Sequence, residues 1–122
     1  MIDLLSIEIL KPRWTALIAK LSETFGEELD LQGIIFLIGV QELGKGKKDF
    51  SKDEKQDLMH IATCKLLSMH GFYELEKIDS EGWPHYKMIS KPPKMQLKEQ
   101  DMLLKQCIIE YFKLRGILDS QS

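Results

Sequence analysis

Phe72-Tyr73-Glu74-Leu75-Glu76-Lys77-Ile78 runs into Asp79-Ser80-Glu81-Gly82 and, past Trp83-Pro84, into His85-Tyr86-Lys87-Met88-Ile89. Both flanks are rich in aromatic and β-branched residues and alternate in part, and the segment between them is a cluster of turn formers. That pattern predicts a β-hairpin. Pro92-Pro93 breaks the chain after it. The remainder reads as helices joined by short loops, so this stretch alone separates an all-α chain from a mainly α (α+β) one.

Upstream of the hairpin, Ser51-Lys52-Asp53-Glu54 spells a capping box, in which the serine hydroxyl accepts from the N3 amide and the glutamate reaches back. The helix it opens is expected to run to about His70, with Leu58, Met59, Ile61, Ala62, Leu66 and Met69 on one face and Gly71 as its stop. Before it, Leu31–Leu43 holds Ile34, Ile35, Phe36, Leu37, Ile38 and Val40 facing every direction, the mark of a central buried helix. A buried strand over 34–38 is the alternative, because so short an apolar run has no diagnostic period. Residues 3–10 suggest a short amphipathic helix that Pro12 ends or kinks. A second helix follows with Trp14, Leu17, Ile18, Leu21 and Phe25 as its stripe and Gly26 just past its end.

Downstream, Leu97–Leu114 forms the last helix. Leu97, Leu104, Tyr111 and Leu118 recur every seven residues, with Cys107 and Leu114 between them, and Ile108 belongs to the same broad apolar face. A surface helix needs a narrower stripe. This helix is therefore either clamped between neighbours or packed on a second subunit. We take Leu97, Leu104, Ile108, Tyr111, Leu114 and Leu118 as the face of an expected homodimer. In all, about four main helices with one hairpin between the third and the C-terminal helix are expected, as a single domain over 1–122.

The chain has 122 residues, of which 43% are hydrophobic and 30% charged, ordinary values for a globular protein. Its net charge of −2 provides no field that would draw it to nucleic acid or anionic lipid. The longest apolar run, 34–38, is too short to span a bilayer, which takes roughly 20 residues. The first residues lack the basic start of a signal peptide, so a cytoplasmic location is expected. In that setting Cys64 and Cys107, both among apolar residues, read as buried thiols.

Candidate sites are few. Gly39-Val40-Gln41-Glu42-Leu43-Gly44-Lys45-Gly46 matches a phosphate-binding loop at both glycines and the lysine, but glycine stands where the metal needs Ser or Thr. Asp57, His60 and Cys64 fall within about 60° of one helical arc, and with His85 from the hairpin they are the weak candidates for a metal site. The signatures of zinc sites are absent, and no metal or cofactor is expected. Glu42 with His60 or His85 is the possible acid–base pair, but sequence supplies no geometry for it. Ser6, Ser68 and Cys64 lie in no nucleophile elbow. Gly82-Trp83-Pro84-His85-Tyr86 is a proline-stiffened turn with the composition of a contact hot spot. Trp83, Pro84, His85 and Tyr86 are accordingly the candidate interaction residues; the other reading has Trp83 and Tyr86 capping the core.

Leu66-Leu67-Ser68-Met69-His70-Gly71-Phe72-Tyr73, leading to Asp79-Ser80-Glu81-Gly82 and Tyr86-Lys87-Met88, resembles the passage from helix to wing in winged-helix regulators. The resemblance implies a DNA-reading third helix. Its first turns, however, carry Asp53, Glu54 and Asp57, which repel phosphate. Lys87, Lys91, Lys94 and Lys98 are the basic run that speaks for it. Gly39 to Gly44, Phe50 to Ala62 and Gly82 to Tyr86 resemble an uncharacterised family of small bacterial proteins, which implies a bacterial origin and no particular chemistry. The expected function is a non-enzymatic protein-interaction module meeting a protein partner still to be identified. A DNA-binding regulator is the alternative, and a small metal-dependent enzyme the third reading.

Overall fold

The structure is a computed structural model that describes residues 4–26, 28–44 and 49–116, with side chains from residue 9 onward. Its elements are α1 (Leu4–Phe25), α2 (Leu31–Leu43), α3 (Lys52–Ser68), β1 (Tyr73–Ile78), β2 (Pro84–Met88) and α4 (Leu97–Leu114). The mainly α layout with a hairpin between α3 and α4 is the one expected. By its contacts the chain divides into two compact units, one built on α1 and α4, the other on α2, α3 and the hairpin.

In the first unit the reading of Pro12 needs correction. The helix does not end there: α1 is continuous from Leu4 to Phe25 with Pro12 inside it. An internal proline removes one backbone hydrogen bond and costs about 3 kcal/mol. Leu10, Leu17 and Leu21 are buried at helical spacing on either side of it, with Trp14 half-buried between them, so one apolar stripe passes through the proline in phase. Burying three leucines contributes about 1.5–3 kcal/mol each, which outweighs the lost bond. Phe25, placed on that stripe by its spacing, is 52% exposed. The α1 and α4 pairing includes Lys105 Nζ 5.5 Å from the Trp14 ring centroid, and Asp101 holds the same lysine at 2.9 Å.

In the second unit α2 is a helix and not a strand, and Ile34, Ile35, Ile38, Gly39 and Leu43 are buried. Gly39 sits where α2 crosses α3. A Cβ there would lie 2.7 Å from the carbonyl carbon of Leu58 and closer still to its oxygen. Only glycine fits that crossing, so close backbone approach, and not phosphate binding, explains this residue. Lys45 and Gly46 of the phosphate-loop match lie outside the described residues. The Ser51 capping box is formed: Glu54 N–H donates to Ser51 Oγ at 3.1 Å, and Ser51 N–H donates to Glu54 Oε1 at 2.9 Å. Buried Leu58, Ile61, Ala62, Cys64 and Leu66 make the inner face of α3. From its end the chain turns back into β1, which pairs antiparallel with β2 in the register Tyr73 to Met88, Leu75 to Tyr86 and Ile78 to Pro84, with an irregularity between Leu75 and Lys77.

Candidate functional site

The turn joining β1 to β2 is built by one carboxylate. Asp79 Oδ1 accepts from the amides of Glu81 at 2.9 Å and Trp83 at 3.0 Å. Its other oxygen lies 2.9 Å from His85 Nε2. Gly82 takes φ +89°, the left-handed region that a side chain would resist, and so delivers Trp83 to its place. The His85 hydrogen bond and the Trp83 amide hold the Asp79 carboxyl down to about 2. It therefore stays ionised across the physiological range.

Beneath this turn the first half of α3 completes a cleft of about 430 Å³, lined by Glu54, Asp57, His60, Ile61, Asp79, Glu81, Trp83, Pro84 and His85. Four of these are carboxylates and none is a lysine or arginine. Trp83 is half-buried and Ile61 buried, so the cleft pairs an apolar wall with an acidic rim.

The structure distributes the expected residues unevenly. Trp83, Pro84 and His85 line the cleft together. Tyr86 does not; burial, with Glu42 and Cys64 nearby, pushes its hydroxyl up to about 12. Of the metal candidates, Asp57, His60 and His85 line the cleft, whereas Cys64 is buried on the inner side of α3 and not on its outer face. The cause is its place between Ile61 and Leu66 in the core-facing row. Its Sγ lies 3.5 Å from His60 Nε2, and burial raises its pKa, which disfavours the thiolate a metal requires. Among the described residues no three His, Cys, Asp or Glu side chains are grouped to hold a metal ion. His85 pairs with Asp79 rather than with Glu42. A histidine–carboxylate pair is the orienting half of a catalytic triad, but no Ser, Thr or Cys lines this cleft. The Ser68 hydroxyl bonds the Lys65 carbonyl. The side chain of Ser6 lies outside the described residues.

Both cysteines are free and buried. In the first unit burial, with Glu110 adding to it, pushes Cys107 up to about 12.

The expected dimer face is corrected by burial. Ile108 and Tyr111 are 0% and 2% exposed within the single chain, and Leu104 is half-buried. Leu97 and Leu114 are exposed, and Leu118 lies outside the described residues. The wide apolar face of α4 is thus largely consumed inside the chain. No described helix is long and apolar enough to cross a membrane.

Sequence reasoning found Trp83 to His85 but missed Glu54, Asp79 and Glu81 as site residues. In the sequence Asp79 and Glu81 read as turn formers, and Glu54 as a cap and one of the acids at the start of α3. No protein-family model, curated protein or solved structure matches this chain.

Proposed function

We propose that this chain is a non-enzymatic protein-interaction module that meets its partner at the cleft between α3 and the hairpin turn. The observation that carries the reading is Trp83: an indole half-buried against the cleft, its amide tied to Asp79, beside a proline. Such an aromatic loses little conformational freedom on contact, which is the economy that makes tryptophan common at binding hot spots. Both thiols are held protonated, so neither supplies a ready nucleophile. Self-association through α4 is left with Leu97 and Leu114 as its exposed contacts and is not part of this reading.

A photoreactive benzoyl-phenylalanine at Ser80, on the exposed turn, tests it in cells. A discrete adduct with another protein is expected, absent when the probe stands at Lys98 and lost in Trp83→Ala. Equal labelling from both positions would overturn the reading.

The order α2, α3, β1, β2 within one compact unit favours a second reading, a winged-helix DNA-binding regulator. It predicts salt-dependent duplex binding that weakens when Lys87, Lys91 and Lys94 become glutamate. Exposed Asp53 and Asp57 on the first turns of α3 weigh against it.

A further inference from the structure

The cleft has four carboxylates beside two histidines, no lysine or arginine, and an apolar exit. Asp57 and Glu81 are exposed on its rim, and among the described residues neither holds an ion pair. Ile78, opposite Pro84 in the hairpin register, is 61% exposed, and Leu75, opposite Tyr86, is 49% exposed. An apolar strip therefore leads from the cleft along β1. We infer that this surface docks a short extended basic segment of a partner protein, with an arginine or lysine head group in the cleft against Trp83 and, from alternate positions of the segment, apolar side chains on the strip of Ile78 and Leu75. The inference rests on the reading of the cleft as an interaction site and names the chemistry of its partner.

Charge complementarity selects the occupant. An anionic segment or a nucleic acid would meet four carboxylates, whereas a cation gains their field and the indole face together. The positive end of the α3 dipole lies nearby, but it amounts to about half a charge and is already met by the capping glutamate. Arginine suits the site better than lysine, because its planar head group stacks on an aromatic ring while its N–H groups bond carboxylates. In β-strand form, alternate side chains of the segment share one side, so a basic residue with apolar residues two positions away matches a cleft that opens onto a strip.

Nitrogen-15 NMR of the full chain tests this with acetyl-Gly-Leu-Gly-Arg-Gly-Leu-Gly amide and its analogue carrying uncharged citrulline in place of arginine. The arginine peptide is expected to shift the Trp83 indole N–H and the amides of Asp57 and Glu81. The citrulline peptide, and the arginine peptide with Asp57→Asn/Glu81→Gln, should each bind at least tenfold more weakly. Both substituted positions are exposed, and the spectrum itself reports whether the fold is kept. Equal binding of the two peptides at Trp83 would overturn the cationic partner while leaving the turn a docking site. Shifts as large from spermidine as from the peptide would assign the cleft to a free polyamine and overturn docking. If neither peptide moves the cleft the inference fails, and the cross-link at Ser80 then judges the interaction reading by itself.

Discussion

Asp79 does three jobs with two oxygens: it closes the turn, places Trp83 and orients His85. Because folding lowers its pKa to about 2, its stabilising contribution is fully present above the ordinary carboxylate range. It is lost as pH falls through about 2. Asp79→Asn keeps an acceptor for the two amides but removes the charge. Urea unfolding should show a less stable variant at pH 7 and a shallower loss of stability between pH 4 and pH 2. An unchanged slope would show that the carboxylate is not what ties the turn. At this scale the sequence was half legible. Asp-Ser-Glu-Gly announced a turn, yet nothing in it said that His85, six residues on, would come back to the same carboxylate. That meeting depends on strand register.

Elements were largely legible where a local device sets them. The capping box fixed the start of α3, and the apolar run of α2 marked a buried element, which the structure makes a helix with Ile34, Ile35, Ile38, Gly39 and Leu43 buried. A local rule lets Pro12 end the helix, whereas a longer-range stripe, Leu10 to Leu21, carries α1 through it. Gly39 matches the first glycine of a phosphate-loop pattern in the sequence, although its reason is the backbone of another helix. Gly39→Ala tests that reason. Helix propensity alone favours alanine by about 1 kcal/mol. The new methyl group meets the Leu58 main chain, which cannot rotate away, and overpacking costs about 1–3 kcal/mol or more. Denaturant melts should therefore show a net loss of up to about 2 kcal/mol; a stabilised variant would mean that the helices separate readily at this crossing.

For the molecule as a whole, burial raises three acidic groups among the described residues: Cys64, and Tyr86 and Cys107, the last two to about 12. A raised pKa means that the fold favours the protonated form. The contribution of Tyr86 and Cys107 is intact below the unfolded values of 9.0 for the thiol and 10.0 for the phenol, and fades as pH climbs toward 12. Stability should be flat to about pH 9 and then fall, and Cys107→Ala should flatten the early part of that fall at the expense of a small cavity; denaturant midpoints at pH 7, 9 and 10.5 measure both. The sequence by itself determined the third and fourth helices, the hairpin and the burial of both cysteines, because spacing, caps and turn formers act over a few residues. Only the tertiary structure decided that Ile108 and Tyr111 face the interior of the chain, that Cys64 is buried where Asp57 is exposed, and that four carboxylates line one cleft with Trp83. Those outcomes depend on which faces meet across the fold, and residues distant in sequence carry no local signal of their meeting.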